Sequence, residues 1–454
     1  MRRAVALIGI AALVVAATYV VRAMTSPGHR PPEAAQAARD RIAAEGVAAG
    51  SGAVTVPGGT ARHEVDRLIA VYEAQVRRQP SALDYTFLGQ LYLQRGRLTG
   101  DVGTYGRAEE ALTRALEINP QDPEARGLLA SVRFTVHDFT GARRLAEELL
   151  AEDPADVGAL AVAGDARLEL GDYAGATAAY DELGRRLPGA AAVVVRRARL
   201  SYLLGEVAEA HRLAAEAERA ARRAGLAGAD LAWYRSFRAQ LEFDTGSYDA
   251  AAELFRSAVR AAPQYHLPRA GLGRALAAGG RIDESIGQYR RAIELLPDPA
   301  YLSALGDLFA ERGQDALARR QYETVEAIAT LADVNEQVYN RQLVLFYADH
   351  DREADSALAL ASRELEVRKD VYGWDAYAWA LYRAGRHPEA REAADRALRL
   401  GTPDPRLLYH AGMISLALGD LERARQELEA ALRIGPAFDP VQDDVARDAL
   451  RSLR

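Results

Sequence analysis

The chain of 454 residues contains no cysteine. This absence excludes disulfides, cysteine-ligated zinc, iron–sulfur clusters, a catalytic thiol and a lipid-modified cysteine after a signal sequence. Of its 57 basic residues only Lys369 is a lysine and the rest are arginines, a bias that indicates a GC-rich genome rather than a functional choice. The formal net charge of −7 argues against nucleic acid as the main partner.

What the chain does contain is the composition of a helical protein with a buried core. Hydrophobic residues make up 49% and charged residues 27% of the sequence, with alanine, leucine, glutamate and arginine the dominant types. These are strong helix formers, and the apolar fraction is too high for a chain that is disordered throughout. The length fits two to four ordinary domains or one long repeat array.

The N-terminus has the pattern of a membrane anchor. Arg2 and Arg3 precede an uncharged, largely apolar run of 18 residues that begins at Ala4 and ends before Arg22. A helix of this length spans about 27 Å, close to the thickness of a bilayer core. Residues 1–22 are therefore predicted to form an uncleaved anchor, with a cleaved signal peptide as the alternative.

The basic residues at the start favour a cytoplasmic N-terminus, which places the rest of the chain outside the cytoplasmic membrane. Cleavage would instead release a secreted or periplasmic protein. Residues 23–61 are rich in proline, glycine and alanine, and this composition predicts a flexible linker.

An internal repeat of about 34 residues runs through the rest of the chain. It is marked by a small residue that opens a turn, usually glycine followed by an aromatic or aliphatic residue. These marks are Gly96, His137, Gly171, Gly205, Gly246, Gly280, Gly313, Gly385 and Gly419. One further unit, near Asp349, has lost most of the pattern.

Each unit contains two helical stretches around its turn. In the clearest one, Ala176, Tyr180 and Leu183 follow the turn with amphipathic spacing. Gly164 in the preceding stretch allows the paired helices to approach closely, while the ring of Tyr180 fills the space between neighbours, and Pro188 ends the unit.

This recurrence of small, aromatic and proline positions resembles the tetratricopeptide repeat family. The resemblance covers residues 62–440 in about ten units and implies an all-α, right-handed superhelix of antiparallel helix pairs whose first helices line a concave groove. Residues 441–454 are predicted to form a capping helix, because Val441, Val445 and Ala449 are spaced four apart. His137 replaces a turn glycine and Thr330 replaces a closing proline, so individual units depart from the pattern.

No catalytic constellation emerges from the sequence. There is no phosphate-binding loop, no pair of zinc-binding histidines on one helix and no strand–serine–helix elbow. The eight histidines are scattered singly, and Gly103 and Gly106 are interpreted as part of a loop in a repeat insertion. We therefore expect no enzyme activity, no metal and no cofactor.

The resemblance implies that the concave face binds a protein or peptide partner. Carried over unit by unit, it gives as candidate groove residues Trp233, Gln240, Phe243, Arg274, Tyr372, Trp379, Tyr382, Arg383 and Tyr409. The same helices contribute Ser236, Asp244, Leu267, Asp375, Arg406 and Met413. The alternative is that these aromatic residues pack between repeats, as expected for Trp374.

The C-terminal candidates make the most specific prediction. Tyr372, Trp379, Tyr382 and Arg383 fall within a band of roughly 100° on one helix. A groove lined in this way would stack against an aromatic or proline-rich peptide, with Arg383 pairing an acidic group.

Two functions remain open from the sequence. The first is a non-enzymatic, membrane-tethered scaffold that binds a protein or peptide on the extracytoplasmic side. The alternative is an extracytoplasmic sensor that binds a peptide or glycan and acts through a membrane partner. Some tetratricopeptide proteins hold acidic chaperone tails with a clamp of lysines and asparagines, and this chain lacks that clamp.

Overall fold

A computed structural model describes residues 59–99, 101, 103–334 and 340–453. These residues form 22 helices and no strand. The predicted anchor and almost all of the predicted linker lie outside the described residues. None of the described helices is long and apolar enough to cross a bilayer. The first helix, α1, spans Gly59–Arg78 and so begins within the last residues of the predicted linker.

After α1, the chain forms ten antiparallel helix pairs and one final helix. The first five pairs are α2 and α3 (Ala82–Thr99, Gly103–Ile118), α4 and α5 (Pro123–Thr135, Phe139–Glu152), α6 and α7 (Val157–Glu169, Tyr173–Arg186), α8 and α9 (Ala191–Leu203, Val207–Arg223), and α10 and α11 (Gly228–Asp244, Tyr248–Ala261).

The next five pairs are α12 and α13 (His266–Ala278, Ile282–Leu295), α14 and α15 (Pro299–Glu311, Asp315–Val334), α16 and α17 (Asn340–Asp349, Ala354–Val367), α18 and α19 (Val371–Arg383, His387–Ala397), and α20 and α21 (Pro405–Ala417, Leu421–Ile434). The chain ends with α22 (Gln442–Ser452). The predicted all-helical repeat architecture is confirmed.

The predicted turn residues separate the two helices of most pairs. Seven of them adopt a left-handed backbone with φ between 68° and 83°: Gly171, Gly205, Gly246, Gly280, Gly313, Gly385 and Gly419. Glycine suits these positions because it has no Cβ to clash in this conformation. His137 adopts the same conformation with φ of 66°, as expected for a residue that replaces a turn glycine.

The first pair departs from the prediction. Gly96 does not open a turn but lies inside α2, where a Cβ would come within 2.6 Å of the Tyr105 ring. Gly103 and Gly106 belong to α3 rather than to a loop. At Thr330, where the repeat pattern places a closing proline, the helix does not end, and α15 continues to Val334.

Close packing of small residues against aromatic rings holds each pair together. A Cβ on Gly164 would lie 2.6 Å from the Tyr180 ring, and one on Gly273 would lie 2.9 Å from Tyr289. Tyr180 is buried and donates its hydroxyl hydrogen to Asp165 at 2.8 Å. The predicted role of Tyr180 between paired helices is therefore confirmed.

The array curves far enough for its C-terminal units to contact its middle units. The Thr402 hydroxyl donates to the Leu203 carbonyl at 2.6 Å, and the Val371 amide donates to the Tyr173 hydroxyl at 2.9 Å. These partners are 199 and 198 residues apart in sequence. The inside of the curve is therefore partly enclosed by the chain itself.

The final helix packs at the end of the array, but only part of the predicted side is buried, with Ala449 9% exposed. Val441 and Val445 are 45% and 39% exposed, whereas Gln442 and Ala446 are buried. The Gln442 amide donates to Asp349 at 2.6 Å, and this contact turns the helix so that the two valines face outward.

Candidate functional site

A cavity of about 650 Å³ lies on the inside of the curve, between α10, α12, α14 and the segment Ala437–Arg447. Its volume is in the range of about 300–1,000 Å³ that is typical of ligand pockets. The helices are the first members of three consecutive pairs, so their side chains repeat along one wall. The C-terminal segment closes the opposite side.

Aromatic side chains form the wall contributed by α10 and its neighbours. Trp233 is half-buried and stacks on Phe237 with 6.1 Å between ring centroids. Tyr301, on α14, shares a hydrogen bond of 2.9 Å with the Nδ1 atom of His266. Burial lowers the pKa of His266 to about 4, so this histidine is uncharged at neutral pH and the wall stays apolar.

A cationic group is fixed next to this wall. The Arg274 guanidinium lies 4.0 Å from the centroid of the Phe243 ring and 3.8 Å from the Asp244 carboxylate. Gln240 donates to the same carboxylate at 2.6 Å. Burial raises the pKa of Asp244 to about 7, opposed by Arg274 and reinforced by Asp404.

The opposite end of the cavity is acidic. Its carboxylates are Asp307, Glu311, Asp439, Asp443 and Asp444. Two of the five share one cation, because Arg447 contacts Asp443 at 3.2 Å and Asp444 at 2.7 Å. Partial desolvation and the nearby charges of Asp443 and Asp444 raise the pKa of Glu311, and Arg312 opposes this shift.

The C-terminal segment reaches the cavity through a contact with the turn between α10 and α11. The Ala437 amide donates to the Tyr248 hydroxyl at 3.1 Å, across 189 residues of sequence. Gly246 in the same turn permits this approach, since a Cβ at that position would collide with the carbonyl oxygen of Ile434. One wall of the site therefore depends on long-range contact.

Seven of the predicted groove residues meet at this cavity: Trp233, Ser236, Gln240, Phe243, Leu267, Arg274 and Arg406. The acidic end was not predicted. On the sequence, its carboxylates look like ordinary solvated helix charges, and they come from units far apart in the chain. Only the Asp443-Asp444 pair, at the start of a predicted capping helix, gives a local signal.

The predicted C-terminal groove is not an open surface, and this part of the prediction needs correction. Trp379 and Tyr409 are each only 3% exposed. The Trp379 ring stacks between Tyr382 at 4.7 Å and His410 at 4.3 Å, and its Nε1 atom donates to Asp349 at 2.8 Å. These contacts make Trp379 a core residue, as the alternative interpretation of the aromatic residues holds.

The remaining candidates on α18 are also engaged within the chain. Arg383 forms an ion pair with Asp351 at 3.2 Å. Tyr372 is half-buried and packs in a different cluster, with the Arg341 guanidinium 5.8 Å from its ring centroid. Tyr372 and Trp379 therefore contribute to separate parts of the core instead of one binding stripe.

A buried histidine–carboxylate pair lies beneath Trp379. The Nδ1 atom of His410 is 2.9 Å from Asp375, and His410 is completely buried. Across the part of the chain that the structure describes, no group of three or more potential ligands could hold a metal ion. The pair joins α18 to α20.

Family models match three stretches of the chain. A model described as tetratricopeptide repeat matches residues 101–163 and 242–308, and a second model with the same description matches residues 376–437. These stretches coincide with helix pairs of the array and include α10, α12 and α20, in whole or in part.

One curated relative is the cytochrome c-type biogenesis protein CycH of Pseudomonas aeruginosa, which is 32% identical over 136 residues. The match covers 28% of this chain and 31% of CycH, so the chain spans about a third of the length of that relative. Similar solved structures include a human IFIT1 dimer with PPP-AAAA and yeast Tom70. The IFIT1 match has a TM-score of 0.45 at 15% identity and covers 84% of this chain and 95% of the IFIT1 chain. The Tom70 match has a TM-score of 0.35 at 13% identity and covers 91% of this chain and 96% of the Tom70 chain.

Proposed function

Because this chain belongs to the tetratricopeptide repeat family, whose repeats are protein-interaction scaffolds, we propose that it binds a peptide segment of a partner protein in the cavity. The observation that carries the proposal is the meeting of Trp233, Gln240, Phe243 and Arg274 on one wall of a 650 Å³ space. Aromatic residues and arginine supply much of the energy at protein interfaces.

The polar groups around the cavity support binding rather than catalysis. Asp307 accepts hydrogen bonds from Tyr322 at 2.8 Å and shares one of 2.7 Å with His350. Arg406 lies 3.7 Å from Asp439. These groups are held by structural partners, and among the described residues of the cavity we find no nucleophile paired with a base, as a covalent mechanism would require.

We further propose that the array is tethered to the membrane and faces the extracytoplasmic side. The support is the apolar run of 18 residues after Arg2 and Arg3. A reporter fused after Arg454 should be active only outside the cytoplasm, and the protein should stay with the membrane fraction. Activity only inside would contradict the topology, while release of a chain that starts near Met24 would favour a cleaved signal peptide.

Capture of the partner tests the binding proposal. The tagged full chain is cross-linked to its partner in membranes of its own host, and the membranes are then solubilised in detergent for capture. The double variant Trp233→Ala, Arg274→Ala is treated in the same way. We expect the variant to capture at least about tenfold less partner than the unmodified chain, because truncation of central interface residues commonly costs more than 1 kcal/mol each.

The chain offers a matched control for this experiment. Trp374 and Arg396 form a similar pair outside the cavity, with the guanidinium 4.4 Å from the ring centroid. The double variant Trp374→Ala, Arg396→Ala should retain the partner, with helical content confirming that both variants fold. Equal capture by both variants would show that the binding surface lies elsewhere.

A second candidate function is a role in cytochrome c-type biogenesis, which the match to CycH favours. In this case the bound segment would belong to a protein that takes part in that process. Deletion of the gene should then lower the amount of covalently bound haem in c-type cytochromes, measured by haem staining of membranes. An unchanged level would remove this candidate and leave the scaffold proposal standing.

A further inference from the structure

We propose that the cavity selects a peptide segment in which an aromatic or large aliphatic side chain lies next to a lysine or arginine. This inference rests on the proposed function and adds the chemistry of the ligand. It follows from the two unlike ends of the cavity, one apolar and one acidic.

The apolar end fits a single large side chain. Trp233 is half-buried, so part of its ring faces the open space, and Tyr289 and Leu267 border the same space. Burial of an aromatic side chain against such a wall removes a large apolar area from water, and ring pairs add about 0.5–1.5 kcal/mol beyond that. This end therefore supplies an anchor pocket.

The acidic end has more carboxylates than cations. Five carboxylates border the cavity against three guanidinium groups, those of Arg274, Arg406 and Arg447. Each of these arginines is already close to a carboxylate of the chain itself. Glu311 is exposed and makes no hydrogen bond or ion pair with any residue that the structure describes.

This arrangement favours a cationic ligand group over an anionic one. A lysine or arginine of the peptide would meet Glu311 and Asp444 directly and would relieve the repulsion among carboxylates that are crowded together. An acidic peptide would meet the same carboxylates as like charges, which disfavours binding. The occupant of the cavity is therefore an apolar–basic peptide segment.

Labelled synthetic peptides provide the test, with the full chain in detergent and fluorescence anisotropy as the measurement. Four capped peptides of equal length carry phenylalanine next to two lysines, phenylalanine next to two glutamates, phenylalanine next to two glutamines, or alanine next to two lysines. We expect the phenylalanine–lysine peptide to bind at least about tenfold more tightly than each of the others, a difference of about 1.4 kcal/mol. Added salt should reduce this preference.

Variants then assign the preference to the acidic end. Glu311→Gln with Asp444→Asn should weaken binding of the phenylalanine–lysine peptide about tenfold and leave the phenylalanine–glutamine peptide unchanged. The matched control removes two exposed carboxylates elsewhere, Glu323→Gln with Asp355→Asn, and should change neither affinity.

The outcomes separate this inference from the proposal on which it rests. If the lysine and glutamate peptides bind equally and cavity variants weaken both, the cavity binds peptides but the preference for basic ones is wrong. If the charge variants and their controls behave alike, the acidic end is not the selecting group. If none of the peptides binds, both this inference and the peptide-binding function are contradicted.

Discussion

The aromatic residues of α10 border a cavity, whereas those of α18 are sealed in a core, although both helices are the first members of their pairs. Trp233 is half-buried and faces open space, while Trp379 is enclosed by Tyr382, His410 and Asp349. Both regions have the aromatic and arginine composition of a binding surface. Composition alone therefore does not distinguish a site from a core.

The segment after α21 contributes to the difference. Around α18 and α20 it fills the inside of the curve, because Phe438 packs against Tyr409 and Gln442 donates to Asp349. Near α10 the same segment is fixed to the turn before α11 by the hydrogen bond between Ala437 and Tyr248. It does not fill the inside of the curve there, so a space remains. One segment thus buries one aromatic patch and leaves the other as a wall of the cavity.

The largest expected effect contrasts the two tryptophans directly. Trp379→Ala should lower the free energy of unfolding by about 3–5 kcal/mol, since it removes a buried aromatic ring and leaves a cavity. Trp233→Ala should cost about 1 kcal/mol, as its ring is only half-buried. Denaturant unfolding monitored by circular dichroism measures both values. Equal losses would mean that Trp233 is also a core residue and that its wall is not available to a ligand.

The repeat pattern predicts the fold well because its signals are local. A turn such as the one at Gly171 needs a left-handed residue, and the ring of Tyr180 needs a small partner one helix earlier. These requirements recur at a fixed spacing, so they can be read along the sequence. Ten helix pairs follow from them, as the structure shows.

The site is less predictable because its walls come from separate turns of the array. The approach of Ala437 to Tyr248 spans 189 residues, and it results from small rotations that add up over many repeats. No local sequence pattern indicates the accumulated rotation. The same reason explains why the prediction of an open groove at Trp379 is wrong.

An effect of intermediate size concerns Asp244, a titratable group beside the cavity wall. Its pKa is raised to about 7 in the folded state, against about 3.9 in the unfolded chain. The contribution of protonated Asp244 to the free energy of unfolding is fully present below about pH 4 and is lost as the pH rises to about 7. Each pKa unit corresponds to about 1.4 kcal/mol, so a shift of about three units changes the stability by at most about 4 kcal/mol.

The variant Asp244→Asn removes this titration and keeps the side-chain shape. Its free energy of unfolding relative to the unmodified protein should increase between about pH 4 and pH 7 and then level off. Comparison of the two proteins across this range cancels the contributions of other groups. A difference that is constant with pH would show that Asp244 is not the buried carboxylate described here, and that the polar end of the α10 wall is more hydrated.

The smallest expected effect tests the contact that creates the contrast between the two regions. Gly246 and Gly280 both have a left-handed backbone, with φ of 83° and 72°, so alanine costs about 1–2 kcal/mol at either position. Only at Gly246 does the new methyl group also collide with the Ile434 carbonyl, whereas nothing lies within 4 Å of the corresponding position at Gly280. Gly246→Ala should therefore cost about 1–3 kcal/mol more than Gly280→Ala, the usual range for overpacking.

Gly246→Ala should also speed hydrogen exchange at the Ala437 amide, because the segment must move away from Tyr248. If the two variants lose the same stability and exchange is unchanged, the C-terminal segment is not held against α10 and α11, and the cavity lacks the acidic wall that distinguishes it from the α18 core.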